Sequence, residues 1–540
     1  MSVVRLGRRS LKVFLVLVLA CLLTLGPGSL ARADAFPVNQ EPATLPGFHV
    51  SGRSLLDANG NNFIMRGVNH MHTWFLDQTS SFQRIKAKGA NTVRVVLSSG
   101  HVTGWDKNSA SDVANVINIC KQNKLVCVLE VHDTTGFGES SEAASLAQAV
   151  NYWKEIKSVL IGQESYIIIN IGNEPYGNPA DTSPWIAATK NAIIAMRNAG
   201  FQHMLMVDAP NWGQDWEFRM RDNAASIFNS DTLANTVFSI HMYEVFASKP
   251  VIEDYLVHFV NAGLPLVIGE FGPQHEGSNV DEDSILALAE KYGIGYLGWA
   301  WSGNCCGGVY LDMVKNFNPN QETWWGNRIF GGENGICPTS RQASIYGNEP
   351  SRVCHYKVDP KGVNDGWVLE STETSNQGGS LNTGDPSFNL GDDASNRQYR
   401  AILHFHTLLL PNNAVISKVR LRVKFQGVLG TNPFTTHSGL KVDIRKPYFG
   451  STMGLAVNDF NAVANKNAVG TFGTAPVSGW YTAMLSASAF PDVNLTGSTQ
   501  FRLRFALDDN NDLGADIIRF YSGTAPVANR PVLIVDYTVP

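Results

Sequence analysis

The 540-residue chain has no excess of positive charge, with 42 Lys and Arg against 47 Asp and Glu. Without a basic run or patch it lacks the electrostatic footprint that nucleic acid or an anionic membrane surface would require. Beyond residue 25 it also lacks any apolar run of membrane-spanning length, so no membrane span is expected. No internal repeat and no long Ser/Thr/Pro linker interrupt it. Cysteine is scarce, at 7 residues.

What the chain does have begins at its N-terminus. Arg5, Arg8, Arg9 and Lys12 precede an uncharged apolar run from Val13 to Leu25, followed by Ala31-Arg-Ala33. A basic end, a short apolar core and a small-x-small site make residues 1–33 a secretory signal peptide, and the protein is expected to be secreted. The apolar core runs on past Cys21 through Leu22, Leu23 and Leu25, which argues against lipid attachment there. Removing the segment takes away five basic side chains and moves the net charge from −5 to −10. A mildly acidic extracellular protein fits a neutral partner such as carbohydrate. Six cysteines remain, enough for disulfides in an oxidising compartment, in a pairing that spacing alone does not choose. About 500 mature residues exceed one ordinary core, so two or three domains are expected.

From residue 63 to 304 apolar runs of strand length alternate with helix-period segments. The strands read Phe63–His70, Asn91–Ser98, Leu125–Asp133, Tyr166–Pro175, His203–Pro210, Val237–Glu244, Pro265–Gly272 and Gly295–Asn304. Amphipathic helices such as Ser109–Lys124, Ala143–Gly162, Pro184–Gly200 and Asp281–Gly293 lie between them. Strand–helix alternation implies parallel βαβ units. Eight units of this size predict a closed (β/α)8 TIM barrel, preferred over a doubly wound open sheet because polar residues end nearly every strand.

Two of those ends carry a glutamate: Glu174 in Ile169-Asn-Ile-Gly-Asn-Glu-Pro175 and Glu270 in Pro265-Leu-Val-Ile-Gly-Glu-Phe-Gly272. A carboxylate closing a buried strand is costly unless paired, so two such ends predict a paired-acid site rather than two unrelated acids. Paired carboxylates are what glycoside hydrolysis uses, one as proton donor and one as nucleophile or base. Other strand ends supply Asn69, His70, Arg94, His132, Asn173, Asp208, Asn211, His241, Tyr243, Trp299 and Trp301. Alternate residues of a strand share a face. On that count Arg94 goes with Val96, His132 with Val128, Glu174 with Ile168 and Glu270 with Ile268, all expected to face one pocket. Trp299 or Trp301 offers a flat apolar face for a sugar ring. Glu130 reads as a buried partner one layer below His132.

Near residue 347 helical periodicity gives way to short alternating strands between Gly/Asn/Asp/Ser turns, as in Tyr399–His406, Lys418–Phe425 and Pro531–Tyr537. An all-β jelly-roll or sandwich domain over 363–540 is expected, joined by a linker at 347–362. Asp508-Asp-Asn-Asn-Asp-Leu-Gly514 has the look of a calcium loop, but its Gly falls one place late and Arg519 stands where a bidentate Glu is needed. A solvated Asx turn is the preferred reading.

The motifs, taken in order, carry a resemblance. Arg66-Gly-Val-Asn-His-Met-His-Thr-Trp74, Gly89-Ala-Asn-Thr-Val-Arg-Val-Val-Leu97, Glu130-Val-His-Asp133 and the Glu174 run open the set. Val207-Asp-Ala-Pro-Asn-Trp-Gly-Gln-Asp-Trp216, His241-Met-Tyr243, the Glu270 run and Trp299-Ala-Trp-Ser-Gly-Asn304 complete it. On these runs residues 46–346 resemble the secreted β-mannanases of glycoside hydrolase family 5. The resemblance implies a retaining endo-hydrolase of β-1,4-linked mannan, glucomannan or galactomannan, with Glu174 as acid/base and Glu270 as nucleophile. It implies supporting roles for Arg94, His132, Asn173, His241, Tyr243 and Trp299, and it leaves His70, Trp212 and Trp301 in the expected substrate-binding set. No metal or cofactor is implied. An endo-β-1,4-glucanase is the alternative within the family. A metal-dependent amidohydrolase barrel is the alternative outside it, because His70-x-His72 ends the first strand. The last domain resembles, more weakly, the DNRLRE-type jelly-roll modules of secreted bacterial proteins, which implies polysaccharide or cell-wall contact. Cys305 and Cys306 depart from the expected small or polar residues and are expected to pair with Cys337 and Cys354. Cys120 and Cys127 read equally as a disulfide or as two buried thiols.

Overall fold

The computed structural model describes residues 45–360 and 362–540. The signal peptide read at 1–33 lies outside the described residues. Eight parallel strands close into a barrel: β1 (Arg66–His70), β2 (Thr92–Leu97), β3 (Val126–Val131), β4 (Ile167–Asn170), β5 (Leu205–Asp208), β6 (Thr236–Met242), β7 (Leu266–Phe271) and β8 (Gly295–Gly298), with β8 against β1. The helices between them include α1 (Ser80–Ala87), α2 (Ala110–Gln122), α3 (Leu146–Glu155), α4 (Pro184–Asn198), α5 (Arg219–Phe228), α6 (Lys249–Ala262) and α7 (Glu282–Tyr292). Local chemistry sets their ends. Ser109 caps α2, Ser145 and Gln148 form a capping box on α3, and left-handed Gly263 and Gly293 stop α6 and α7. Among the described residues no helix is long and apolar enough to cross a membrane.

The pleat divides the strand side chains into two cores. Val68, Val93, Val95, Leu129, Ile169 and Ile240 join the large cluster shared with the helices. Met65, Val128, Ile168, Met206, Val237, Val267 and Leu297 form the smaller barrel interior, plugged from below by Phe48, Leu55 and Phe63 around the His49–Ser51/Ser54–Leu56 hairpin. On the same face as these apolar residues, further along the strands, come Asn69, Glu130, Asn170 and Asp208. The strands thus carry a polar layer on top of an apolar one.

Past the barrel, helix α8 (Trp324–Gly331) leads into an all-β region in which every strand pairing is antiparallel. Its strands are β9 (Cys354–Val358), β10 (Gly366–Glu370), β11 (Gly378–Asn382), β12 (Ser387–Asp392), β13 (Gln398–His406), β14 (Val415–Gly430), β15 (Leu440–Arg445), β16 (Lys466–Phe472), β17 (Trp480–Leu485), β18 (Ser498–Phe505), β19 (Asp516–Tyr521) and β20 (Val532–Thr538). The 16-residue β14 pairs with β20 and β17 early in its length and with β19 later. The path β14-β17-β16-β15-β18-β13-β12-β19 therefore returns on itself in a barrel-like arrangement. Phe388, Leu403, Leu421, Phe501 and Phe520 fill it.

The segment read as a linker holds a strand instead. Cys354–Val358 is the edge strand β9, bonded on one side to β20. On its other side Asn327 of α8 gives and takes hydrogen bonds with the Lys357 backbone, at 2.7 and 2.8 Å. Gly331 is needed there because a Cβ would run into the His355 carbonyl. The Tyr537 hydroxyl donates to the Gly331 carbonyl at 2.6 Å, and a disulfide joins Cys337 to Cys354. The expected pairing of these two with Cys305 and Cys306 is thereby corrected. Cys305 and Cys306 are exposed next to one another, with Sγ atoms 2.7 Å apart, and Cys120 and Cys127 are buried thiols. In the 508–514 loop Asp509, Asn510 and Asp512 accept from backbone N–H groups two residues on, as an Asx-turn reading expects.

Candidate active site

Arg94, wholly buried on β2, is the centre of the polar layer. Its guanidinium donates to Asn69 (2.9 Å), Asn170 (2.9 Å), Asn173 (2.7 Å), Asp208 (3.1 Å) and Glu270 Oε1 (2.7 Å). Burial alone would weaken the cation, but Glu130, Asp208 and Glu270 around it hold its proton more firmly than usual. Burial pushes the Asp208 carboxyl up, yet His241 and Arg94 outweigh it and hold that group down to about 2.

Glu174 and Glu270 meet above this layer. Glu174 sits just past β4 with a left-handed φ of 37°, a conformation that costs energy in a non-glycine residue and that collects at functional sites. Glu270 reaches the same place by a different device. The ladder between β6 and β7 pairs Ile240 with Ile268 but His241 with Glu270, so Gly269 is an extra residue on β7. Ile268 faces the helices, and the bulge turns Glu270 the other way. The shared parity read for Ile268 and Glu270 is therefore corrected. Without the bulge Glu270 would point into the helix layer.

His241 bridges the pair. Its Nδ1 lies 2.8 Å from Glu174 Oε1 and 3.7 Å from Glu270 Oε2, and its Nε2 lies 3.4 Å from Asp208. One oxygen of each glutamate and a ring nitrogen of His241 all lie within 4.8 Å of one another. The imidazole ring packs on Gly213, where a Cβ would come within 2.6 Å of it. Burial disfavours its charge, but Glu270, Asp208 and Glu174 raise His241 to about 10. Glu270 is bound at both oxygens, by Arg94 and by the Tyr243 hydroxyl at 2.9 Å. Burial still pushes its carboxyl above the ordinary value against the pull of His241 and Arg94, with Glu174 adding to the push.

Aromatic rings border the acids. Trp299 stacks on His132 at 5.7 Å and 22°, and Trp74, itself 4.9 Å from Trp105, meets the His132 ring edge-on at 5.3 Å. His132 Nδ1 lies 2.9 Å from Glu130, which sits below it as read from the sequence. Asn173 donates to Thr135 through Nδ2, leaving that nitrogen a second proton. Trp212 is half-buried and donates to Glu139 at 2.9 Å.

Two expected members are elsewhere. Trp301 is fully buried against Phe330 and offers no face to a ligand. His70 is fully buried between Phe82 and Phe317, where burial and then His72 lower its pKa to about 3. It follows inward-facing Asn69 in the strand and so points to the helices. His72 faces Asp112 at 3.1 Å. Among the described residues neither histidine joins a cluster of metal-ligand type, so the amidohydrolase arrangement is not assembled. Sequence reasoning listed Asn69 and Asp208 at strand ends but gave them no role, and it left out Asn170, Trp74 and Trp105. Strand parity was the signal available for the first three.

A closed β/α barrel with paired carboxylates at its strand ends, bordered by aromatic rings, has the equipment of a glycosidase. The model of the cellulase family (glycosyl hydrolase family 5) matches residues 56–305. A mannan endo-1,4-beta-mannosidase of Streptomyces lividans is 51% identical over 370 residues, covering 66% of this chain and 93% of that protein. One from Cellvibrio japonicus is 54% identical, covering 56% and 70%. A solved mannohexaose complex of the Thermomonospora fusca beta-mannanase is 57% identical with a TM-score of 0.54, covering 56% of this chain and 99% of that one. The chain belongs to glycosyl hydrolase family 5.

Proposed function

We propose that the protein is a retaining endo-β-1,4-mannanase, acting on internal bonds of mannan, glucomannan and galactomannan by double displacement. The observation that carries the mechanism is the separation of the two acids. Oxygens within 4.8 Å of one another fit the roughly 5–5.5 Å carboxyl spacing of retaining enzymes better than the about 6.5–9.5 Å of inverting ones. The relatives named as mannan endo-1,4-beta-mannosidases support the substrate.

In the first step Glu174 gives its proton to the glycosidic oxygen as a Glu270 oxygen bonds to the anomeric carbon, and the C–O bond to the leaving sugar breaks. In the second step Glu174, now a carboxylate, takes a proton from water. The water oxygen then bonds to the anomeric carbon and the ester to Glu270 breaks. Arg94 and Tyr243 hold the Glu270 anion and orient it. The free Asn173 proton is suited to the sugar 2-hydroxyl, and Trp299 with Trp74 to stacking a ring. The supporting set is thus Arg94, His132, Asn173, His241, Tyr243 and Trp299, with Trp212 at the margin.

The leader-like N-terminus supports secretion, and the texture of the sequence supports a catalytic body over 46–346 with a jelly-roll module over 363–540 that contacts polysaccharide or cell wall. The test is a hydrolysis panel of mannan, glucomannan and carboxymethylcellulose with products sized and the anomer followed by NMR. Initial release of the β-anomer from mannan is expected. Preference for carboxymethylcellulose would make it an endo-β-1,4-glucanase, and initial α-anomer would overturn the covalent mechanism.

A further inference from the structure

A second group of buried ionisable side chains lies in the β region, where it has no part in the chemistry above. Asp392 ends β12 directly opposite Asp516, which begins β19. His437 follows the short helical turn Pro433–Thr436 and reaches both. All three are essentially inaccessible to solvent, and one ligand-type atom from each lies within 4.8 Å of the others.

The hydrogen bonds around them fix where protons are. The Thr436 hydroxyl has one proton and donates it to Asp516 Oδ2 at 2.7 Å. It therefore accepts from His437 Nδ1–H, 2.8 Å away. With that proton on Nδ1, Nε2 is the ring atom left to bind a cation, 3.2 Å from Asp392 Oδ1. Nε2, both oxygens of Asp392 and Oδ1 of Asp516 find no hydrogen-bond partner among the described residues. Acceptors clustered in a buried site without donors repel, and each costs free energy unless something positive lies between them.

We propose that Asp392, His437 and Asp516 form a binding site for a divalent first-row transition-metal ion such as Zn2+. One imidazole with two carboxylates is a donor set for such an ion and not for Ca2+, which takes oxygen alone. The 3.2 Å between Nε2 and Oδ1 is close to the edge, about 3.4 Å, of a tetrahedron with bonds of about 2.1 Å. The Thr436 bond to Nδ1 is the outer contact that presents Nε2 to a metal. The ion would tie the end of β12, the start of β19 and the 433–437 turn together.

The test uses the full-length chain, stripped with a chelator, desalted and given Zn2+ alone. Because Glu174, His241 and Glu270 also lie close together, the comparison runs on wild type, Glu174→Gln and Asp392→Asn. About one equivalent of Zn2+ retained after desalting, with a Tm rise of about 3 °C or more, is expected for the first two. Asp392→Asn is expected to lose both. If Asp392→Asn does not fold, Co2+ added to Glu174→Gln reads the same site, by a visible absorption band of nitrogen–oxygen ligation that equimolar Zn2+ removes. Failure of wild type to retain Zn2+, retention undiminished in Asp392→Asn, loss in Glu174→Gln alone, or no Co2+ band would each overturn the site.

Discussion

Two buried charge clusters, one in each half of the described chain, are built as opposites. In the barrel one cation, Arg94, is surrounded by acids: Glu130, Asp208 and Glu270. In the β region one acid, Asp443, is surrounded by cations. Its Oδ2 accepts from Arg502 at 2.9 and 3.1 Å and from Arg504 at 3.0 Å, and its Oδ1 accepts from the Ala468 N–H at 2.8 Å. Asp443 is saturated, and nothing about it is available to a substrate. Around Arg94 the acids outnumber the one guanidinium, and the outermost of them, Glu270, meets a further acid, Glu174, where the strands end. Burial of charge is common to both clusters. Surplus of one sign at the strand ends is what distinguishes a site from a strut.

Substitutions can break that comparison. The largest effect is expected for Glu270→Ala, with kcat falling on the order of 10^4–10^6-fold and partial rescue by azide on an activated aryl mannoside. Absence of any rescue would remove Glu270 from the nucleophile's role. Next, Glu174→Ala should lose about 10^2–10^4-fold on mannan but far less on an aryl mannoside with a good leaving group, which needs no proton. Equal losses on the two would contradict a proton donor.

The two hubs themselves come third. Arg94→Met and Asp443→Asn should each cost about 3 kcal/mol or more in urea unfolding, since each strands buried charges of one sign. Only Arg94→Met should also lower kcat/KM. A matching loss of kcat/KM in Asp443→Asn would erase the distinction between site and strut. Fourth is a pH effect. His241 is raised to about 10 in the fold from an ordinary 6.5, so its stabilising charge is fully present below pH 6.5 and is lost as pH rises toward 10. Tm should fall through that window, and His241→Gln should flatten the fall; an unchanged slope would mean the ring is not charged. The smallest effect is expected for Cys354→Ser, which opens a loop of sequence separation 17 and should cost about 2–3 kcal/mol with kcat on mannan unchanged.

The strands, their order and the paired acids were legible because parallel strands buried on both faces read as unbroken β-branched runs that stop at polar residues. The same alternation puts Asp208 on the face of Met206 and Asn170 on that of Ile168, although Asp208 was only listed at a strand end and Asn170 was not singled out. Alternation fails where the pleat fails. Glu270 faces Glu174 and Arg94 because of Gly269, and a one-residue bulge leaves no trace in the hydrophobic pattern. Trp301 lies two residues from Trp299 but beyond the end of β8 at Gly298, so their shared parity carried no meaning. The strand at 354–358 was missed for a related reason. Its outward residues are polar, and its pairing to β20 spans most of the second half of the chain.

The Asn327 side chain, bonded to both backbone groups of Lys357, imitates a further strand for one residue on the open edge of β9. Open edges invite strands from other molecules and are a route to aggregation. Here α8 and the Gly331 close approach occupy that edge from within the same chain. A protease cut that freed the β module would uncover Cys354–Val358 as a template for self-association. Solubility of that module made alone is therefore a property of the barrel it lacks, and a charged side chain on the β9 edge would have to stand in for α8.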